Sequence, residues 1–330
     1  MRIESSVTSV SWIPSEAIGG FKRAPFDLGP MHYDDPPADQ IDDVQALARS
    51  GAVRFINQQR AWLEVDNGSI VGHGQSGRGW MGRTKLGFGS RMILYPTIGM
   101  PDLRPEPVST SESVRFVQTT GGRPALPLPR KLNRPPFVQI IPPIVWTTLA
   151  LTIQADGSAT HEVVGASPFP RHWIYDASGK LVNKVAVTDF DKWSEEIFGE
   201  RTPWGREDSP AFVTEVESAL ERELSTQIMR GGSKPQVRKL ATGSTLVEQG
   251  QAGAELFLLL DGVLAVDVDG KPIAEVGPGA ILGERALLEG GLRTATLRAV
   301  TPCRVAVATA SQVSEEALAE LAKGHRREET

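Results

Sequence analysis

Between Ile281 and Ala299 the chain reads ILGERALLEGGLRTATLRA, a set of residue types able to hold a phosphorylated sugar. Gly283 and Glu284 open a short helix-compatible run through Leu288. The first N–H groups of a helix have no partner within it and so present themselves to an anion. Arg293, beyond the Gly290–Gly291 turn, adds a planar donor fork, and Thr294 adds a hydroxyl. Glu284 supplies a carboxylate that accepts from sugar hydroxyls. Alone, a Glu near a helix start complements the helix dipole and an Arg is a surface charge. Their combination in one short stretch is what points to a ligand.

Short strands separated by glycine turns position this stretch. Val237–Leu240, Thr245–Val247, Glu255–Leu260, Val263–Val268, Pro272–Val276, Thr294–Val300 and Cys303–Ala308 read as strands. The turns Asp261–Gly262, Asp269–Gly270 and Gly277–Pro278–Gly279 divide them at the spacing of a small sandwich. A helix over 311–323 follows, with Val313, Ala317, Leu318 and Leu321 inward and Gly324 as its stop.

The 281–299 stretch resembles the phosphate-binding cassette of the cyclic nucleotide-binding domain family, whose pattern runs approximately F-G-E-(L/I)-A-L-L-x-x-x-P-R-x-A-T-V-x-A. Upstream, ELFLLLDGVLAV (Glu255–Val266) and GPGAILGE (Gly277–Glu284) match the same family, and the resemblance spans about 234–321. It implies an eight-stranded jelly roll with short flanking helices, and cyclic AMP or cyclic GMP as ligand and partner, with no other cofactor. It places Gly283 at the close-approach glycine, Glu284 on the ribose 2′-hydroxyl, and Arg285 and Ala286 as backbone N–H donors. Arg293 falls at the arginine that pairs with the cyclic phosphate, and Thr294 where a hydroxyl meets phosphate or a guanine edge. Three positions depart from the pattern: Leu282 stands for an aromatic residue, Arg285 for an aliphatic one, and Leu292 for a proline. Threonine at 294 leans toward cyclic GMP, while cyclic AMP has the higher background frequency. The base-covering helix that usually follows this barrel is short here, so a lid would come from elsewhere.

The chain as a whole is that of an ordinary folded protein. It has 330 residues, 23% charged and 40% hydrophobic, enough for two domains. A net charge of -5 argues against a nucleic-acid surface over much of the molecule, and no helix-turn-helix accompanies the barrel, so DNA binding is not expected. The single cysteine, Cys303, excludes an internal disulfide and a cysteine-built zinc site, and reads as a buried strand thiol. The N-terminus lacks a signal-peptide core, and the apolar stretch Phe137–Ile153 is broken by Pro142 and Pro143 and too short to span a bilayer. A cytoplasmic protein, compatible with a homodimer and without membrane association, is expected.

Residues 1–232 read as a separate β-rich domain, an antiparallel sheet or barrel ending in a helix over about 209–230, with 233–330 as the sensor. Ser6–Ile13 alternates as a strand, Asp39–Ser50 carries helix start and stop signals, and Asn67–Gly68 is a hairpin turn. Gly72, Gly74 and Gly77 satisfy G-x-G-x-x-G, but no helix follows, so a glycine-rich strand or loop is expected rather than a dinucleotide site. Arg123, Arg130, Lys131 and Arg134 form a basic run expected to be a solvated connector. From Phe137 to Val187 hairpin signals predict a meander, and Phe190–Phe198 a short helix. Ser209 and Pro210 suit the start of the longer helix, with Val213, Val216, Leu220, Leu224 and Ile228 on one face and Gly231 as its stop. Arg171, His172, Trp173 and Tyr175 are candidates to line a pocket, although a structural role is favoured. No catalytic residues or metal ligands emerge. The expectation is a regulatory protein; an enzyme gated by the sensor, or a scaffold with a non-binding barrel, are the alternatives.

Overall fold

Alternation of apolar and polar residues becomes strand throughout the chain, and the ladders among the described residues are antiparallel. The computed structural model describes residues 1–15, 17–18, 26, 33–82, 84–88, 91–95, 97–124, 128–131, 138–141, 144–185, 203, 213–215, 219–230, 235–288, 291–309, 313 and 315–325. The first elements are β1 (Arg2–Trp12), α1 (Val44–Ser50), β2 (Phe55–Asp66), β3 (Ser69–Met81), β4 (Thr84–Phe88), β5 (Arg91–Tyr95), β6 (Ile98–Gly99) and β7 (Val108–Ser109). Next come β8 (Ser113–Arg123), β9 (Leu128–Lys131), β10 (Val138–Ile141), β11 (Val145–Gln154), β12 (Ala159–Ala166), β13 (Arg171–Tyr175), β14 (Leu181–Val185) and β15 (Val213–Glu215). The C-terminal elements are α2 (Ala219–Arg230), β16 (Gln236–Leu240), β17 (Thr245–Val247), β18 (Glu255–Asp261), β19 (Leu264–Val268), β20 (Lys271–Val276) and β21 (Ile281–Leu282). The chain closes with α3 (Glu284–Leu288), β22 (Thr296–Ala299), β23 (Cys303–Thr309) and α4 (Glu315–His325). Two compact units divide the chain, Met1–Val213 and Thr214–Thr330.

The N-terminal unit is a sandwich. One sheet runs β14-β13-β1-β2-β3, and the other runs β12-β11-β8-β6 with β7 added to β8. Their facing sides share one apolar cluster, taking Val7, Leu63 and Ile174 from the first sheet and Phe116, Leu149 and Leu151 from the second. Each such side chain contributes about 1.5–3 kcal/mol on burial. The Asn67–Gly68 turn joins β2 to β3 with φ of 50° and 78°, the doubly positive geometry of a tight hairpin. Strand β3 then runs unbroken through Gly72, Gly74 and Gly77, so the glycine pattern is strand and not a nucleotide turn. A Cβ at Gly74 would stand 2.8 Å from the Trp62 indole, so glycine lets the strand pass the ring.

Several local expectations change. Helix α1 starts at Val44, not near Asp39, because Asp43 caps it through bonds from the Gln45 and Ala46 amides while Gln40 bridges Lys180. Part of the supposed connector, Leu128–Lys131, is strand β9 paired with β10. The helix expected over 209–230 spans Ala219–Arg230, and Val213–Glu215 is strand, as β-branched Val213 and Thr214 favour. The proposed start at Ser209–Pro210 and the short helix at 190–198 lie outside the described residues.

In the C-terminal unit two four-stranded sheets run β16-β23-β18-β21 and β17-β22-β19-β20, the jelly-roll sandwich expected from the resemblance. Strand β18 explains its unbroken apolar run, LFLLL, by being buried on both faces. Phe257 and Leu259 face the opposite sheet with Val247, Leu264 and Leu297. Leu256, Leu258 and Leu260 face Leu224 and Ile228 of α2 and Leu318 and Leu321 of α4. Helix α2 therefore belongs to the core of this unit, whereas the sequence reading ended the N-terminal domain after it. Among the described residues no helix is long and apolar enough to cross a membrane.

Candidate functional site

The site is built around Arg293, which two backbone bonds hold beside the segment before β18. Its N–H donates to the Gln251 carbonyl at 2.8 Å, and its carbonyl accepts from Gly250 at 2.8 Å. The residue is 4% exposed, unusual for an arginine with no ion-paired carboxylate among the described residues. Nη1 donates to the Glu255 carbonyl at 2.8 Å, and the guanidinium carbon lies 4.9 Å from the centroid of the Phe257 ring. The Glu255 carboxylate itself is taken by Arg238, at 2.6 Å. Nε and Nη2 of Arg293 have no hydrogen-bond partner among the described residues. Burial pushes its pKa below the ordinary arginine value; the Glu255 and Glu284 carboxylates oppose that shift and Arg238 adds to it. An arginine so placed remains a cation with donors to spare.

Gly283 and Glu284 come to the same place. Gly283 adopts φ +90°, and a Cβ there would stand 2.5 Å from Arg293 Nη1 and 2.9 Å from the Glu255 carbonyl. Glycine is required here twice, by the backbone and by the guanidinium packed against it. Glu284 is the first residue of α3 and is 3% exposed, with its charge felt at Arg293. Ala286 is buried, and its carbonyl accepts from Gly291 at 2.7 Å, closing the turn that returns the chain to Arg293. Arg285 and Thr294 are half-buried.

Three contributors are absent from the sequence reading. The Glu255 carbonyl and the Phe257 ring orient the guanidinium, and Glu221 of α2 accepts from Ile281 N–H at 3.2 Å, tying that helix to the strand leading into the site. A backbone carbonyl carries no residue signature. Glu221 has one only in retrospect, as an acid in the first turn of an otherwise amphipathic helix.

The N-terminal candidates stand differently. Arg171, His172, Trp173 and Tyr175 are all buried in β13. His172 lies between two serines: its Nε2 is 2.9 Å from the Ser167 carbonyl and its Nδ1 is 2.6 Å from Ser11 Oγ. The carbonyl can only accept, so Nε2 carries the proton and Nδ1 accepts from the Ser11 hydroxyl. Burial lowers the pKa to about 4, with the Ser167 bond opposing, so the ring is neutral. Asp34 is likewise structural, its Oδ2 accepting from Ile13 N–H at 2.9 Å and Arg54 Nε at 2.8 Å.

Residues 237–319 match the model of the cyclic nucleotide-binding domain family. The uncharacterized protein Rv0104 of Mycobacterium tuberculosis is 42% identical over 64 residues, which are 19% of this chain and 13% of that protein. The chain thus spans a small fraction of the curated relative that it matches. A cyclic nucleotide-binding domain from Methylobacillus flagellatus is 24% identical, covering 33% of this chain and 78% of that one, with a TM-score of 0.27. The cGMP-bound form of the EAL enzyme Bd1971 is 28% identical, covering 24% of this chain and 22% of that one, with a TM-score of 0.23. The segment 237–319, folded as a two-sheet sandwich around Arg293, is a cyclic nucleotide-binding domain.

Proposed function

We propose that the C-terminal unit senses a cyclic nucleotide, cyclic AMP or cyclic GMP, and passes its occupancy to the rest of the chain. The observation that carries this reading is Arg293, a buried guanidinium with one donor spent on a carbonyl and the others without a partner among the described residues. A single anionic oxygen pair meets that fork with charge-assisted bonds worth about 1.5–3 kcal/mol each. In this reading Glu284 accepts from the ribose 2′-hydroxyl, and the backbone of Arg285 and Ala286 donates to the phosphate. Thr294 lies beside the phosphate or a guanine edge. Gly283 leaves room for both guanidinium and ligand.

The signal leaves through packing. Helices α2 and α4 share one apolar cluster with Ile281 and Leu287, on either side of Gly283. A ligand biases only states it binds unequally, so occupancy acts by favouring one packing of these helices over another. The N-terminal sandwich is the recipient. A thermal-shift screen of the purified chain with cyclic AMP, cyclic GMP and the corresponding linear nucleotides tests the reading. Stabilisation by a cyclic nucleotide is expected, and none by any of them would refute it.

A further inference from the structure

Gly253 lies in the short segment between β17 and β18, where the chain clips against the residues around Arg293. Its N–H donates to the Gly291 carbonyl at 2.9 Å, and its neighbour Ala252 bridges Leu292. Nothing in its backbone calls for glycine, since its φ lies outside the left-handed region where Gly250, Gly283 and Gly291 sit. What calls for glycine is the guanidinium. A Cβ at this position would stand 2.5 Å from Arg293 Nη2, 2.6 Å from Nε and 2.8 Å from Cζ, closer than non-bonded atoms approach.

We infer that Gly253 is a positioning residue for phosphate recognition: its bare Cα leaves the space that the Nε–Nη2 side of the Arg293 guanidinium occupies, and so forms one wall of the slot that holds the fork in place. Gly283 packs against Nη1, while the Phe257 ring and the Glu255 carbonyl complete the slot. The two glycines differ in what a methyl group would do. At Gly283 it meets a backbone carbonyl at 2.9 Å as well as a strained φ, so the fold suffers. At Gly253 every one of the nearest atoms is the far end of a flexible side chain, so the fold yields by moving the guanidinium alone. Alanine at 253 therefore separates ligand recognition from stability, and it also removes a flexible residue from the unfolded chain.

This inference rests on the cyclic nucleotide reading, and its test keeps the two apart. Binding of cyclic AMP and cyclic GMP is measured by calorimetry on the full chain for wild type, Gly253→Ala, Arg293→Ala and the double variant, alongside melting curves without ligand. Gly253→Ala is expected to weaken binding by about tenfold or more at an unchanged melting midpoint. The double variant is expected to bind no more weakly than Arg293→Ala, because both changes remove the same contact. Wild-type affinity in Gly253→Ala, or losses that add in the double variant, would overturn the role given to Gly253. If wild type binds neither nucleotide, the functional reading fails, and a ligand-free crystal structure of Gly253→Ala decides the slot by itself. A displaced guanidinium supports it and an unmoved one overturns it.

Discussion

Between about pH 7 and about pH 4, acidification should destabilise the N-terminal unit chiefly through His172. The ring is fully buried and neutral, with a pKa of about 4 against an ordinary value of 6.5. Because the folded pKa is depressed, the unfolded chain binds the extra proton first as pH falls. The contribution is complete above the ordinary value, declines as pH falls through it, and levels off near the folded value. Linkage over that interval gives a loss of about 2 kcal/mol between near pH 7 and near pH 5, and about 3 kcal/mol by near pH 4. All 7 tryptophans fall within residues 1–213, so tryptophan fluorescence during urea unfolding reports this unit alone. Asp43 and Asp156, whose backbone bonds lower their pKa values, add losses at lower pH, and a His172→Gln comparison cancels them. The wild-type midpoint should fall with pH while the variant, less stable at neutral pH, shows a flatter profile. Parallel profiles in the two proteins would refute the assignment of a neutral, doubly bonded ring.

Two further outcomes follow from buried polar contacts. Arg54→Met should cost about 3–5 kcal/mol in the same urea assay, because Asp34 keeps a buried carboxylate after losing its cation at 2.8 Å; a change under about 1 kcal/mol would contradict the burial of that pair. Glu221→Leu should lower the calorimetric stability of the C-terminal unit by about 1–3 kcal/mol, by stranding the Ile281 N–H, and Glu221→Gln should cost less because it keeps an acceptor oxygen. Equal losses in the two variants would show that the bond is not the cause.

What could be read from sequence was what is local along the chain. The single meander expected from β11 to β14 does not form, because β12 edges one sheet and β13 pairs with β1 in the other. The Asn67–Gly68, β11–β12 and β13–β14 hairpins, by contrast, rest on turn residues a few positions from the strands they join. The same holds for Gly283, Glu284 and Arg293, which share one loop–helix–loop, so their spacing already encodes their proximity. The Arg293 slot was legible only in half: Gly283 is ten positions away, whereas Gly253 and the Glu255 carbonyl approach from the start of β18 and the segment before it. The bond that holds His172 could not be read locally, because its partner Ser11 lies 161 residues earlier and only the β1–β13 register brings them together. Helix α2 was assigned to the wrong unit for a related reason. Its apolar face shows that it packs on something, but not that the something is β18.

The central claim is that Arg293 reads a cyclic phosphate. Titrating cyclic AMP and cyclic GMP calorimetrically into wild type and Arg293→Ala tests it most directly. Saturable binding in wild type, weakened at least about tenfold in the variant, is the predicted result. Equal affinity in the two proteins would contradict it.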